Sequence, residues 1–156
     1  ITMLNVKKSK LLVMDLDETL IHTAYAPIDG AEIKSKRGYF YLYERPGLNE
    51  FLYRCSVEYD LAIWSASKAD YVRWIIRATL LSDHSFVFVN TRKNCKRIIG
   101  KGGRLEYLKD LTPYVDKYQK VIMLDDVPKM VNPIDCCKKM PEYRGQSDSF
   151  LLDLII

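Results

Sequence analysis

Residues 10–20 read K-L-L-V-M-D-L-D-E-T-L, an unbroken apolar run from Leu11 to Met14 that meets Asp15 and then Asp17. A short continuous apolar run suits a strand buried on both faces, as at the centre of a parallel sheet. Strand side chains repeat every two residues, so Asp15 and Asp17 can point into the same crevice as the chain leaves the strand. Two more runs end in the same way. Residues 59–64, Y-D-L-A-I-W, stop at Ser65, Ala66 and Ser67, and residues 120–124, K-V-I-M-L, stop at Asp125 and Asp126. Helical spacing separates them. Pro46 and Gly47 open one helix with Leu48, Phe51, Leu52 and Cys55 on its apolar face. Ser67, with Asp70 three residues on, reads as the cap of a second helix whose face is Ala69, Val72, Ile76, Thr79 and Leu80. Residues 85–89 read as a further strand, a short strand fits near Cys136, and residues 147–156 could start a closing helix. Strands alternating with helices predict an α/β, Rossmann-like fold, with a mostly parallel sheet and helices on both faces.

With 156 residues, 48% hydrophobic and 28% charged, the expected organisation is one soluble globular domain over residues 1–156. No run of about 18 uncharged apolar residues occurs, which excludes a spanning helix and gives no reason to expect a membrane partner. Residues 1–10 lack the apolar stretch of a signal peptide. The cysteines Cys55, Cys95, Cys136 and Cys137 form no C-x-x-C pair, so idle thiols in a reducing compartment are expected, and with them an intracellular site, cytoplasm or nucleus. The formal net charge of +4 favours an acidic partner without requiring one.

Two segments interrupt the alternation. Residues 22–44 turn polar around Pro27, Asp29 and Gly30, then alternate through Tyr39, Phe40, Tyr41, Leu42 and Tyr43, which predicts a small hairpin-like insert rather than a large cap. Its tyrosines read as one face of a strand before they read as a base-stacking platform. Residues 92–104 hold six basic and no acidic side chains, broken by Gly100, Gly102 and Gly103. This segment is either a solvated hairpin or loop, or an overhang that steers a polyanionic substrate into the crevice. Its G-K-G-G lacks the order of a P-loop. His22 and His84 read as structural or exposed.

Ligands of open parallel sheets bind at the carboxyl ends of the strands. Those ends carry Asp15, Asp17, Ser65, Asp125 and Asp126. Alone, each aspartate pair could cap a helix or close a turn, Ser65 could be a turn residue, and Lys109 a solvated lysine. Together they suit phosphoryl chemistry: one carboxylate attacks phosphorus while its neighbour two residues on protonates the departing oxygen and later deprotonates water. Four carboxylates against Lys109 would repel a phosphate dianion, so a hard divalent cation is implied, with Mg²⁺ the expected one. Ser65 and the backbone N–H groups that follow the strand ends, those of Leu16 and Ala66, would complete the phosphate cradle.

D-L-D-E-T-L, residues 15–20, resembles the D-x-D-x-T motif of haloacid dehalogenase-like phosphatases. Residues 12–22, L-V-M-D-L-D-E-T-L-I-H, with R-P-G-L-N-E-F-L at 45–52, I-W-S-A-S at 63–67, L-K-D-L at 108–111 and L-D-D-V-P at 124–128, are similar to the subgroup containing the RNA polymerase II carboxy-terminal-domain phosphatases. The resemblance implies that Asp15 is the nucleophile forming an aspartyl-phosphate and that Asp17 is general acid and base, its backbone carbonyl also on Mg²⁺. It implies that Asp126 is a direct metal ligand, with Asp125 acting through Lys109 or metal-bound water. Lys109 and Ser65 would hold phosphate oxygens, and Arg92 would contact substrate. Ser65 stands where the family usually has threonine, and the insert reads as shorter than the three-stranded insert of the small eukaryotic members. The expected activity is Mg²⁺-dependent hydrolysis of phosphoserine or phosphothreonine in a protein segment. A phosphatase of nucleic-acid ends, drawing on residues 92–104, or of another small ester is the alternative, and a non-catalytic protein-binding module is the second.

Overall fold

A computed structural model describes residues 7–156, so the signal-peptide reading of residues 1–10 falls largely outside the described residues. In chain order the strands are β1 (Lys10–Met14), β2 (Ile21–Ala24), β3 (Ser35–Arg37), β4 (Phe40–Glu44), β5 (Tyr59–Trp64), β6 (Val89–Asn90), β7 (Lys96–Ile99), β8 (Leu105–Asp110), β9 (Lys120–Asp125), β10 (Val131–Asn132) and β11 (Cys137–Lys139). The helices are α1 (Leu48–Ser56), α2 (Ala69–Ala78), and the single turns α3 (Thr112–Val115) and α4 (Phe150–Asp153). None is long and apolar enough to cross a membrane.

The central sheet has the order β11-β9-β1-β5-β6 and every pairing in it is parallel. β1 is its middle strand, and Leu11 to Met14 are fully buried, as the unbroken apolar run requires. One face, Leu12 and Met14 of β1 with Leu61 and Ile63 of β5, packs on the apolar sides of α1, α2 and α4. On α1 the buried residues are Leu48, Phe51, Leu52 and Cys55, the set its helical spacing selects. Gly47 precedes α1 at φ +80°, which favours glycine, and a Cβ there would lie 2.5 Å from the Leu152 side chain and force it to shift. The other face, Leu11 and Val13 with Ala62, Trp64 and Met123, packs on Tyr114 of α3 and on Leu111 and Val131, at the end of β8 and on β10 of a second sheet, β10-β8-β7. Helices thus lie on both faces, as expected, and on this one strands accompany the short helix.

Three local expectations change. The insert is a three-stranded antiparallel sheet, β2-β4-β3, not a hairpin: Ser35–Arg37 adds a strand along the far edge of β4. The strand expected over residues 85–89 pairs regularly with β5 only at Val89 and Asn90. Ser67 is not the cap of α2; Lys68 holds the N-cap position with no side-chain hydrogen bond, and Ser67 turns toward Asp17. The basic segment, residues 92–104, is the first arm and turn of a hairpin, β7 pairing antiparallel with β8. All four cysteines are free thiols, and burial pushes Cys55 up to about 11, which makes it unreactive near neutral pH.

Candidate active site

Register brings the acidic strand ends to one level. Met14 lies opposite Ile63 of β5 and Leu124 of β9, so Asp15, Ser65 and Asp125 follow at or just beyond adjacent strand ends. The Asp15 N–H continues the ladder by donating to the Leu124 carbonyl at 2.9 Å. A tight turn follows, in which the Leu16 carbonyl accepts from the N–H groups of Thr19, Leu20 and Ile21. Glu18 takes a left-handed conformation, φ +61°, to make that turn. Arg45, 1% exposed, holds it from beneath: its Nη1 donates to the carbonyls of Thr19 (2.9 Å) and Pro141 (3.1 Å), and its Nη2 lies 3.2 Å from Asp148.

Lys109 comes from β8, in the second sheet, and is 3% exposed. Its Nζ donates to Asp15 Oδ1 at 3.0 Å and to Asp125 Oδ2 at 2.7 Å. Burial alone would lower the lysine, but Asp15 and Asp125 together hold it above its ordinary value, so the ammonium stays charged. Asp15 moves the other way. Burial is the largest influence and raises it well above the carboxylate range, Lys109 opposes this, and Asp125 adds to it. One ammonium thus leaves the acidic group short of positive charge. Burial raises Asp126 as well.

Carboxylate oxygens of Asp15, Asp125 and Asp126 lie within 4.8 Å of one another. Three hard oxygen donors at that spacing, with too little positive charge around them, fit Mg²⁺ on chemical grounds. The side chain of Asp17 is outside this group. Its Oδ1 accepts from the Tyr71 hydroxyl at 2.6 Å and its Oδ2 from Ser67 Oγ at 3.2 Å, while Thr23 Oγ1 lies 3.0 Å from the Tyr71 oxygen. Ser67 and Tyr71 were missed as site residues; their i, i+4 spacing across the start of α2, directly after a strand end, is the signal that could have found them.

Ser65 is fully buried at the end of β5, and its Oγ accepts from the Ser67 N–H at 3.1 Å, so it shapes the loop that follows the strand. Among the described residues no protein acceptor takes the N–H of Leu16 or Ala66. Arg92 is anchored at the crevice rim: Nε donates to the Ala66 carbonyl at 2.9 Å, and the guanidinium lies 4.8 Å from the centre of the Tyr107 ring. Beside Asp17 a groove of about 660 Å³ runs between the insert and α2, walled by Tyr25, Phe40, Tyr71 and Trp74. His22 sits 3.6 Å from Glu18, and His84 meets Asn49 at 2.8 Å, both half-buried structural positions.

The fold is of the haloacid dehalogenase type, with no large cap among the described residues. The family model of NLI interacting factor-like phosphatases matches residues 10–156, and the chain belongs to that family. It is 30% identical over 163 residues to the human CTD small phosphatase-like protein, covering 94% of this chain and 54% of that one. It is likewise 30% identical to Phosphatase Herzog of Drosophila melanogaster over 134 residues, 76% of this chain and 34% of the relative. The chain thus spans about half or less of the length of these relatives. The solved structure of Fcp1, an essential RNA polymerase II CTD phosphatase, shares the fold with a TM-score of 0.64 at 21% identity, over 86% of this chain and 42% of that one.

Proposed function

We propose that this chain is a Mg²⁺-dependent phosphomonoester hydrolase that works through a phosphoryl group carried on Asp15. The observation that carries the reading is the buried bridge of Lys109 between Asp15 and Asp125, with Asp126 alongside. A binding module has no need to bury two carboxylates on one ammonium with a third beside them, whereas phosphoryl transfer needs a fixed nucleophile, a fixed cation and a place for a metal.

A carboxylate oxygen of Asp15 attacks phosphorus in line with the departing oxygen, forming one P–O bond as the other breaks. Asp17 gives that oxygen its proton, which releases an alcohol and leaves an aspartyl-phosphate. A water then attacks phosphorus, Asp17 takes its proton, and cleavage of the Asp15–phosphorus bond returns the carboxylate and frees phosphate. Tyr71 and Ser67 hold the Asp17 carboxylate at the groove end of the crevice. Lys109 and Ser65, with the N–H groups of Leu16 and Ala66, receive the equatorial oxygens. Asp15, Asp126 and the Asp17 backbone carbonyl would hold Mg²⁺, with Asp125 acting through Lys109 or a metal-bound water. The ion, when bound, supplies positive charge that a phosphate dianion needs in order to approach four carboxylates.

The substrate we propose is phosphoserine or phosphothreonine in an extended protein segment. The aromatic groove open beside Asp17 supports this, as does similarity to relatives named CTD phosphatases. Four free thiols fit action in a reducing compartment. Hydrolysis of p-nitrophenyl phosphate with and without Mg²⁺, in wild type and Asp15→Asn, tests the activity. Turnover that needs the metal and disappears in the variant is expected; metal-independent turnover, or turnover surviving in Asp15→Asn, contradicts it.

A further inference from the structure

Beyond the groove lies a second, smaller pocket of about 360 Å³, lined by Lys68, Arg92, Lys93 and Arg97 and by no carboxylate. Lys68 and Arg92 line the groove as well, so the two spaces adjoin. Two neighbouring cations have carboxylate partners and those of the pocket do not. Lys96 pairs with Asp110 at 2.6 Å and Lys129 lies 3.9 Å from Glu106, but among the described residues none of Lys68, Arg92, Lys93 and Arg97 has a carboxylate within 4.0 Å. Strand alternation on β7 explains the split, sending Lys96 to one face and Arg97 to the other. The start of α2, at Lys68 and Ala69, reaches the same pocket without a side-chain cap.

We propose that Lys68, Lys93 and Arg97 form a second phosphate site, which seats a further phosphoryl group of a multiply phosphorylated polypeptide whose reacting phosphate lies at Asp15. This rests on the phosphatase reading above and narrows its substrate class. Like charges held together without counter-charges repel one another, and an anion of charge near −2 is what relieves them. A polypeptide suits the layout better than a nucleic acid. A nucleic-acid strand needs free cations along its whole track, whereas Arg37 on the insert side of the groove is 3.9 Å from Asp70 and the cations without a carboxylate, Lys68 and Arg92, stand where the groove adjoins the smaller pocket. Discrete phosphates on an otherwise neutral chain match that pattern.

The test compares serine-rich peptides of one sequence carrying a single phosphoserine, or two at separations of about two to six residues in extended chain. At the best separation, the wild type is expected to show kcat/KM about tenfold higher for the doubly phosphorylated peptide, from new charge-assisted hydrogen bonds. The double variant Lys93→Ala/Arg97→Ala, checked for folding by its thermal melt, brings that ratio to about one. Lys101→Ala/Arg104→Ala removes the same charge at the hairpin turn and keeps the wild-type ratio, which separates a site from long-range attraction. A ratio near one in the wild type, or a preference that survives in Lys93→Ala/Arg97→Ala, overturns the proposal. So does tighter binding of a 5′-phosphorylated oligonucleotide than of the doubly phosphorylated peptide, when that binding is lost in the same variant. Should no substrate be turned over at all, the phosphatase reading fails by itself. Calorimetric binding of the doubly phosphorylated peptide to wild type and to Lys93→Ala/Arg97→Ala then still decides the pocket, equal affinities overturning it.

Discussion

The two small sheets have three strands each and do opposite work. The β10-β8-β7 sheet lies on one face of the central sheet and delivers Lys109, 3% exposed, to two carboxylates on strand ends it does not itself contain. The β2-β4-β3 sheet stands at the rim and leaves Tyr25 and Tyr39 76% and 83% exposed along a groove. Where charges are buried, each side chain is fixed by several partners at once and only one arrangement is affordable. On the exposed sheet, shape and surface chemistry are free to be set by what binds. We therefore propose reaction chemistry where Lys109 joins the two carboxylates, and substrate contact along the groove, where the insert meets α2 and the cations that precede and begin β7.

The largest effect expected from breaking this division is at Lys109. Lys109→Met should lower turnover of p-nitrophenyl phosphate about 10²–10³-fold, the usual loss for a donor to transition-state charge. It should also destabilise the fold by about 3 kcal/mol, because Asp15 and Asp125 are left buried without their cation. Steady-state kinetics and urea unfolding separate the two losses.

Arg45 comes next, and it sharpens the comparison because it joins the end of the insert to the turn after Asp15 and lies outside the proposed phosphate and metal site. Arg45→Ala leaves the Thr19 and Pro141 carbonyls and Asp148 without their donor. A loss of about 3 kcal/mol in stability is expected, read as a lower urea midpoint with an unchanged slope. The smallest effect belongs to the boundary between the regions. Tyr71→Phe keeps the groove wall but removes one of the two donors to Asp17, which should reduce kcat about fivefold, the equivalent of one hydrogen bond. A rise in KM with kcat unchanged would instead place Tyr71 with substrate binding alone.

The same division explains what the sequence made legible. β1, β5 and β9 announce themselves because strands buried on both faces must be continuously apolar, and the residues that follow them must then be the polar ends of a parallel sheet. The face of α1 was legible for the same reason: burial of Leu48, Phe51, Leu52 and Cys55 imposes a period. β3 was not, because Ser35, Lys36 and Arg37 are polar, three residues long and at a sheet edge, where no burial pattern is imposed. Ser67 read as a helix cap because only the fold places it against Asp17, fifty positions away in sequence. Lys109 was named from a motif, but its arrival from a second sheet depends on the parallel pairing of β8 with β10, which no local pattern shows. Arg45 shows the limit most plainly, since an arginine buried to 1% looks in sequence like a solvated one.

The most direct test of the account is to look for phosphate on Asp15. Asp17→Asn keeps the nucleophile but lacks the base for the second step, so with p-nitrophenyl phosphate, whose leaving group needs no proton, the phosphorylated enzyme should accumulate. Acid quenching, digestion and mass spectrometry should then find phosphate on the peptide containing Asp15, and none in Asp15→Asn/Asp17→Asn. Turnover by the wild type with phosphate on no residue, or on a peptide lacking Asp15, would contradict the assignment.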